Sequence, residues 1–541
     1  MTEPQTALSD DVVVRLFPAF EEAARASQGT VDRFIAPRVG IVEQAMAGRH
    51  QFILGRRGVG KSTLLRKIES EAGASGNAIT FIDLETLRGI PYPDVLLHLL
   101  IELLGLMEGR LKAHGRRVSL RRMRSRRVAS QVARLRSELQ LLLSEPQSAE
   151  IVVKRLRSHA TEVGGSVGMD IGIRDPQTGV GVNASASASS GTSTEAEDAA
   201  ESRFKQTKME GLYASATQVR EVIGLAMDQL SDTTGYIALD DFHHVPFTDQ
   251  PKVLSYLHQV VKNIDVWLKI GAVRHRLNPF VEGDPPIGLQ LGHDASALSL
   301  DVTLEQFDLA KRFLEDILAG VCDPLGIDPQ VLATDTGATR LVLASGGVAR
   351  DYLSLARIAL RASNERVSYQ ARPHNRITAE DVNEASKEIS TQKEEDLLLD
   401  SGPNAENLRS RLDALAEFCL DVNQTNVFLV DATKLREQEW GRQIQALADL
   451  RLVHDIGALS VQTASYRGRA FRGFTLDLST YTVTRAERIR QIEFWTSEGR
   501  QSARRAALIY DPMTEVTRRS DAPPEKASCG DTEMNPRLFD A

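Results

Sequence analysis

Short apolar runs alternate with helical patterns along the first half of the chain. "QFIL" (51–54), "AITFIDL" (78–84), "YIAL" (236–239) and "VWLKIGAV" (266–273) each have the length of a strand, and residues 63–72 place apolar positions at helical spacing. Unbroken apolar runs of this length are typical of strands that are buried on both faces. Strands that alternate with helices indicate an α/β domain with a parallel sheet.

The C-terminal third has a different pattern. A charged segment with Gly-Pro, residues 392–407, is interpreted as a linker, and an amphipathic helix is predicted over 408–422. An apolar stretch ("NVFLVD"), a second helix over 433–448 and two strands ("LRLVHDI" and "FRGFTLDLS") follow. Helix, helix and two-stranded ribbon is the order of a winged helix. A last helix is predicted over 485–509, and a polar tail from residue 514.

Composition narrows the class of protein. The 541 residues predict about two to four domains, and the net charge of -8 disfavours a protein that coats nucleic acid indiscriminately. Cys322, Cys419 and Cys529 lie too far apart for a metal site or a disulfide framework, which fits a reducing cytoplasm. Without a signal peptide or a long apolar run, a cytoplasmic protein with no membrane insertion is expected.

One motif carries specific chemistry. "GRRGVGKS" (55–62) matches the phosphate-binding pattern G-x-x-x-x-G-K-[ST] and lies between a predicted strand and a predicted helix. Its glycines let several backbone N–H groups point at one anion, Lys61 reaches the β- and γ-phosphates, and the Ser62 hydroxyl binds Mg²⁺. ATP and Mg²⁺ are therefore the predicted cofactors. The predicted nucleotide contacts are Gly55, Arg56, Arg57, Gly58, Val59, Gly60, Lys61, Ser62 and Thr63.

The second part of such a site is an apolar strand that ends in acid, and "YIALDD" supplies it. Asp240 is predicted to hold Mg²⁺ through water, and Asp241 to orient or deprotonate the attacking water. Aspartate is shorter than the glutamate that many ATPases use here, so slow hydrolysis is expected. The next strand ends in basic residues. Arg274 is the candidate for reading the γ-phosphate and Arg276 for serving a neighbouring subunit, although each also fits a solvated loop.

The order of phosphate loop, "LDD" strand and arginine-ended strand resembles that of AAA+ and STAND-type P-loop ATPases. "ASGGVARDYLSLARIAL" and "RITAEDVNEA" look like the small helical lid of the AAA+ origin-recognition initiator family. The resemblance covers about residues 30–390 apart from one insertion. It implies that Arg350 contacts the γ-phosphate, that "DRFIAPR", which includes Pro37, packs against adenine, and that a neighbour's arginine completes the site in a homo-oligomer.

A long insertion separates the second strand from the acid-ended strand. Residues 110–136 hold eleven Lys/Arg and no acid, so a basic helical arm is predicted. It is either a DNA contact, with Arg121, Arg122 and Arg124 as candidates, or a solvated helix face. Residues 164–193 alternate apolar with small residues around a turn. They predict a hairpin that packs on a helix or, alternatively, assembles with copies of itself.

The predicted ribbon carries a second basic cluster. Arg467, Arg469 and Arg472 are interleaved with Tyr466 and Phe471. Arginine contacts phosphate and an aromatic ring can lie along the sugar edge, so the three arginines are candidates for DNA binding. The alternative is a winged helix that mediates protein contacts. One observation separates the two, because arginines that meet acids of the ATPase core favour the protein-contact alternative.

The sequence thus predicts an α/β P-loop NTPase with a parallel sheet, a small helical lid, an inserted basic helical arm and β-hairpin, and a C-terminal winged-helix domain. The preferred function is a slowly hydrolysing ATP switch that binds DNA as an oligomer. The alternative is a STAND-like signalling or scaffold ATPase, by analogy in phage defence, that binds an effector protein. The predicted divisions are 1–105 and 206–305 (core), 106–205 (insertion), 306–395 (lid), 406–482 (winged helix), 483–511 (C-terminal helix) and 512–541 (disordered tail).

Overall fold

The computed structural model describes residues 10–25, 31, 34–114, 119–144, 146, 149, 152–153, 193–230, 234–370, 376–401, 404–461, 463–466, 468–482 and 489–512. The predicted hairpin, as far as residue 192, the polar tail after residue 512 and Arg467 lie outside these residues. Arg121 and Arg122 lie in a helix of which only the backbone is described at these two positions.

A parallel sheet forms the centre of the domain that carries the phosphate loop, here called the core. The strands of this half of the chain are β1 His50–Leu54, β2 Ala78–Asp83, β3 Gly235–Asp240, β4 Val266–Ala272, β5 Phe280–Val281, β6 Ile287–Gly288 and β7 Ala295–Ser299. Five of them are hydrogen-bonded in the order β2-β3-β4-β1-β7, all parallel, and β5 and β6 form a separate antiparallel pair. The four predicted strands and the predicted α/β class are confirmed. The edge strand β7 lacked a strong apolar run in the sequence.

The helices of this half of the chain are α1 Asp10–Ala23, α2 Ile41–Ala45, α3 Lys61–Ala74, α4 Asp94–His114, α5 Ser119–Ser144, α6 Ser193–Leu230 and α7 Gln250–Val261. Helices α2 to α7 cover both faces of the sheet. One face packs on α3 through Leu64, Leu65 and Ile68, and the other packs on α4, α6 and α7. No helix among the described residues is both long and apolar enough to span a membrane.

The basic segment 110–136 does not form a separate arm. It covers the end of α4 and most of α5, and its Leu111, Val128 and Val132 are buried in the same apolar cluster as the sheet. Because α5 turns its apolar residues inward, basic residues such as Arg124 lie on its solvent side. The described part of the insertion therefore consists of packed helices with basic residues on their solvent side.

A helical lid and a C-terminal module follow the sheet. The lid comprises α8 Phe307–Cys322, α9 Asp335–Ser345, α10 Ala349–Gln370 and α11 Ala379–Ser401. The C-terminal module, residues 404–512, comprises α12 Ala405–Ala416, β8 Val427–Asp431, α13 Ala432–Glu437, α14 Glu439–Asp449, β9 Val453–Leu459, β10 Phe471–Leu476, α15 Leu478–Thr482 and α16 Ser497–Ala503. Its sheet has the antiparallel order β8-β10-β9.

The structure corrects three expectations for this region. The linker predicted over 392–407 is helical as far as Ser401, because α11 continues through it. The helix predicted over 433–448 is divided at Gln438, and the apolar stretch before it is a third strand. The last helix, predicted over 485–509 and assigned as domain 483–511, is replaced among the described residues by irregular chain over 489–496 and the short α16.

The lid and the C-terminal module share one hydrophobic core. Tyr352 and Leu355 of the lid belong to the same buried cluster as Phe428 and Trp440 of the module. Helix α1 also packs there, through Leu16 and its neighbours, and not on the sheet with which the predicted division 1–105 grouped it. Two bodies result, namely the core and the lid joined to the module.

Candidate nucleotide site

The loop between β1 and α3 has the conformation that an anion cradle needs. Gly58 and Gly60 have φ angles of +81° and +97°, which side chains other than glycine rarely adopt. A Cβ at Gly55 would lie only 2.6 Å from Val59 Cγ2. Glycine at these three motif positions is therefore required by the path of the backbone.

Lys61 opens helix α3 and is buried under this loop. Its Nζ donates hydrogen bonds to the carbonyl oxygens of Gly55 (2.9 Å) and Arg56 (3.1 Å). Burial lowers the pKa of Lys61, and the nearby carboxylates of Asp241 and Asp240 oppose that shift. The ammonium group thus lies between the loop and the two acids predicted to act with it.

Asp240 ends strand β3 and is hydrogen-bonded to the Ser62 hydroxyl. Gly271 in the adjacent β4 makes room for it, because a Cβ there would lie 2.9 Å from Asp240 Oδ1. Burial and the Asp241 carboxylate raise the pKa of Asp240 to about 6, while the Ser62 hydrogen bond and Lys61 oppose the rise. This hydroxyl–carboxylate pair offers oxygen donors only, which suits Mg²⁺.

Asp241 occupies a left-handed backbone conformation, with φ of +50°, at the edge of the cleft. Its carboxylate belongs to a cluster with Asp83 and Glu85, in which one oxygen from each lies within 4.8 Å of the others. Glu85 lines the same cleft, although the sequence analysis did not select it. The available signal was its place just after β2, which pairs with β3.

A cleft of ≈ 310 Å³ lies between the phosphate loop and the lid. Of the predicted contacts, the cleft is lined by Arg57, Gly58, Val59, Gly60, Lys61, Ser62, Thr63 and Arg350. Its apolar wall was not predicted residue by residue and comprises Phe34, Ile35, Phe313, Ile317, Val321 and Leu353. A phosphate-binding end opposite an apolar end fits the two halves of a nucleotide.

Arg350 begins the lid helix α10 directly above the phosphate loop. Its backbone N–H donates to the carbonyl of Gly58 (3.2 Å), and its side chain is exposed in the cleft. A Cβ at Gly58 would lie 2.8 Å from Arg350 Cβ, so the loop and the lid are in direct contact. Arg350 thus lines the cleft, and its contact with a γ-phosphate stays a prediction.

Arg56, predicted as a nucleotide contact, points away from the cleft. Its side chain donates to Asp301 (3.3 Å), the Val302 carbonyl (2.8 Å) and the Gly346 carbonyl (3.0 Å), and it is almost fully buried. It therefore joins the phosphate loop to the core–lid connection and to the lid. The adjacent Arg57 has the opposite orientation and lines the cleft.

Three other candidates lie away from the cleft. Pro37 is half-buried outside the cleft wall, to which Phe34 and Ile35 of the same segment contribute. Arg274 is exposed and lines a different cavity, which separates the core from the C-terminal module. Arg276 lines a third cavity beside it. The strand before both arginines was predicted, but it ends at Ala272, and the turn Arg274–Arg276 places them toward the module.

The contacts between core and module, here called the junction, involve one of the predicted DNA contacts. Arg472 donates to Asp455 (2.8 Å) of its own sheet and to Glu305 (3.2 Å), where the core ends. His275 of the core contacts Asp449 of α14 through its ring Nδ1 (2.5 Å). Arg472 therefore meets an acid of the core, the outcome that favours a role in internal contacts.

The other described candidates for DNA contact lie on the surface. Arg469 is exposed and lies over the Tyr466 ring, 5.9 Å from its centroid. Arg124 is exposed on α5 beside Arg126 and Arg127, which are exposed as well. The two basic areas lie on separate elements of the chain.

The parallel sheet, the phosphate loop after β1 and the helical lid give the chain an α/β P-loop architecture. Similar solved structures include the ORC1 protein of Aeropyrum pernix in complex with DNA and Cdc6p of Pyrobaculum aerophilum. Each is 14% identical to this chain, with a TM-score of 0.31, and each match covers 86% of this chain. The matches cover 94% of the ORC1 chain and 96% of the Cdc6p chain. The Thermotoga maritima RuvB Holliday junction branch migration motor is 13% identical, with a TM-score of 0.27, over 81% and 88%.

These likenesses are too distant to carry an argument about function. Neither a protein-family model nor a curated protein matches the chain.

Proposed function

We propose that this chain binds ATP with Mg²⁺ in the cleft between core and lid and hydrolyses the ATP slowly. The observation that carries the proposal is the convergence of the phosphate loop, the Ser62–Asp240 hydrogen bond and Arg350 on one cleft. Bound MgATP would supply a γ-phosphoryl group open to attack by water. Ser62 and Asp240 would hold the metal, and Lys61 would neutralise phosphate charge.

Asp241 would orient the attacking water, as its place at the cleft edge allows. It is short, it is held in a left-handed conformation, and two further carboxylates, Asp83 and Glu85, surround it. A short side chain limits the approach to water, which supports slow hydrolysis and suits a switch better than a motor.

The nucleotide would control the position of the lid and the module together. Arg350 and Arg56 attach the phosphate loop to the lid, and the lid shares its core with the module. A nucleotide can shift this arrangement only as far as it binds one position better than the other. The Arg350 side chain would make that difference, because it can contact the γ-phosphate of ATP and finds none in ADP.

A Michaelis–Menten comparison tests the enzyme part of the proposal. Asp241→Asn is expected to lower kcat by roughly 100-fold or more, the usual contribution of a positioned base, with ATP affinity nearly unchanged. The matched control is Asp265→Asn, an exposed aspartate before β4, which should keep the wild-type rate. Wild-type protein that fails to bind ATP with Mg²⁺ in calorimetry would refute the proposal.

DNA is the proposed partner, bound by an oligomer through the basic face of α5 and the exposed Arg469. Arg124, Arg126 and Arg127 project from one solvent-exposed stretch of α5. The helices and the three-stranded sheet of the module are consistent with a winged helix. Arg472 is left out of this surface because Glu305 and Asp455 hold it.

Fluorescence anisotropy with labelled duplex DNA tests this partner in ATP, in ADP and without nucleotide, at two salt concentrations. The triple change to Ala at Arg124, Arg126 and Arg127 should weaken binding at least about tenfold and reduce its salt dependence, because each phosphate contact releases counterions. The control removes the same charge from exposed positions of the module, at Arg409, Arg436 and Arg505. Equal loss in both variants would show non-specific attraction only.

One observation favours the second candidate, a signalling or scaffold ATPase. Arg472 pairs with an acid where the core ends, and α14 contacts the core through Asp449. In this function the module is held by the core, and partner proteins bind elsewhere. ATP-dependent oligomerisation without DNA binding in any nucleotide state would support it, measured by light scattering on the samples used for anisotropy.

A further inference from the structure

A second cavity lies at the junction and is larger than the nucleotide cleft. Its volume is ≈ 810 Å³, against ≈ 310 Å³ for the cleft. The core contributes Arg88, His243, His244 and Arg276 to its wall, and α14 of the module contributes Arg442. Small-molecule sites in proteins commonly have volumes of about 300–1,000 Å³, so this cavity has the size of a ligand site.

Positive charge dominates the wall of this cavity. Three arginines line it, and Glu439 is the one acid among its lining residues. Arg88 and Arg442 form no ion pair with any residue that the structure describes. The guanidinium groups of Arg88 and Arg442 thus lie on one cavity wall without matching carboxylates, which favours an anionic ligand, and phosphate is the anion whose geometry they fit best.

The buried wall supports the same conclusion. The His243 side chain is 1% exposed, and neither ring nitrogen has a hydrogen-bond partner among the described residues. The Asp241 carboxylate lies 3.7 Å from His243 Nδ1, beyond hydrogen-bond distance. Buried polar atoms without partners are rare in folded proteins, so this imidazole is available to a ligand oxygen.

The remaining wall suits an aromatic ring with polar edges. Phe247 is 54% exposed at the cavity, an unusual exposure for a large apolar side chain. Asn404, Asn407 and Gln443 provide amide donors and acceptors. An aromatic face with amides around it can stack on a base and read its edge.

We propose that this cavity binds a second nucleotide, distinct from the ATP of the cleft, through its phosphate on the arginines and its base beside Phe247. The proposal does not depend on ATP binding in the cleft. Since Arg88 belongs to the core and Arg442 to the module, the ligand would bridge the two bodies and hold the junction closed. His244 lines both cavities, so the two ligands would share a wall beside Asp241.

Equilibrium dialysis of the full-length Lys61→Ala variant tests the proposal, because the impaired cleft leaves the second cavity as the measured site. The probes are labelled AMP and GMP, with inorganic pyrophosphate and glucose 6-phosphate as non-nucleotide phosphates. One equivalent of AMP or GMP should bind. Arg88→Ala and Arg442→Ala should each weaken that binding about tenfold, the effect of one charge-assisted contact.

The matched control is Arg436→Ala, an exposed arginine on the neighbouring helix α13, which should bind as tightly as its parent. No binding of either nucleotide would overturn the proposal. So would binding that survives both Arg88→Ala and Arg442→Ala, or that falls equally in Arg436→Ala. Preference for pyrophosphate or glucose 6-phosphate would overturn the nucleotide assignment. Failure of wild-type ATP binding would refute the proposed ATPase and leave this result standing.

Discussion

The module meets the lid and the core through two very different interfaces. Against the lid it buries a continuous apolar core and the ion pairs Lys393–Asp477 and Arg451–Asp351, whose side chains are nearly inaccessible. Against the core it makes partly exposed pairs, such as Arg472–Glu305, around two cavities. Movement between bodies needs an interface that opens at low cost, so the junction can open while the lid and the module stay together.

The largest effect is expected from breaking the lid–module interface at Asp477. This buried carboxylate accepts hydrogen bonds from Lys393 Nζ (2.7 Å) and His454 Nε2 (2.7 Å). Asp477→Asn would leave the buried Lys393 charge without its partner, which costs about 3–5 kcal/mol of the free energy of unfolding. Urea denaturation measures this loss in the free energy of unfolding. The exposed Asp413→Asn on α12 should change stability by less than about 0.5 kcal/mol. Equal stability of the two variants would contradict a tight lid–module interface.

Arg56 tests the one strong connection between core and lid. Arg56→Ala would leave Asp301 and the carbonyls of Val302 and Gly346 without their donor, at a cost of about 2–3 kcal/mol in urea denaturation. The adjacent Arg57→Ala should leave stability nearly unchanged and weaken ATP binding instead. A reversed outcome, with Arg56→Ala affecting only ATP, would contradict the orientation of both side chains.

Acid should weaken the lid–module interface through His454. Burial lowers the pKa of His454. Below about pH 6.5 the unfolded chain binds a proton there that the folded chain does not, so stability falls as pH falls. The slope is about 1.4 kcal/mol per pH unit for one such proton. His50, whose pKa burial lowers to about 4, acts in the same direction, whereas Asp240, with its raised pKa, acts in the opposite direction.

Unfolding free energies measured between pH 7 and pH 5 check this slope. His454→Gln should reduce the slope of stability against pH by the contribution of about one proton. The exposed His293→Gln should leave the slope as in the wild type. An unchanged slope in His454→Gln would show that this histidine binds its proton equally in both states.

The smallest effect belongs to the junction. Arg472 is about one-third exposed and its pair with Glu305 is open to solvent, so Arg472→Ala should cost no more than about 1 kcal/mol in urea denaturation. This substitution should raise the rate at which proteases cut the chain, because the junction opens more often. Arg469→Ala, which has no acid partner among the residues that the structure describes, is the control that should change neither quantity. A loss above about 3 kcal/mol would place Arg472 with the tight interface instead.

Sequence alone predicted the parts of the site that are local in the chain. Lys61, Ser62 and the flanking strand and helix are specified within a dozen residues, and Asp240 follows from its own apolar strand. Arg56 could not be predicted, because the glycine motif does not show that its partner Asp301 lies 245 residues away. Likewise, Arg472 beside aromatic residues resembles a DNA contact until Glu305 is seen beside it.

Domain boundaries failed for a related reason. The charged segment that begins at residue 392 was interpreted as a linker because its acids and lysine suggest solvent. In the fold, Lys393 is buried and Asp477, 84 residues further along, pairs with it. A charged residue is predicted correctly as exposed only if no residue of opposite charge pairs with it in the fold. Pairs between residues this far apart in the sequence are set by the tertiary structure.

Helix α11 can act as a lever between the lid and the module. Its 23 residues run unbroken from the lid into contact with the module, a rod of about 34 Å at 1.5 Å per residue. A tilt of about 10° at one end would carry the other end through about 6 Å. The rod has no hinge of its own among these residues, so a small tilt of the lid becomes a larger displacement in the module.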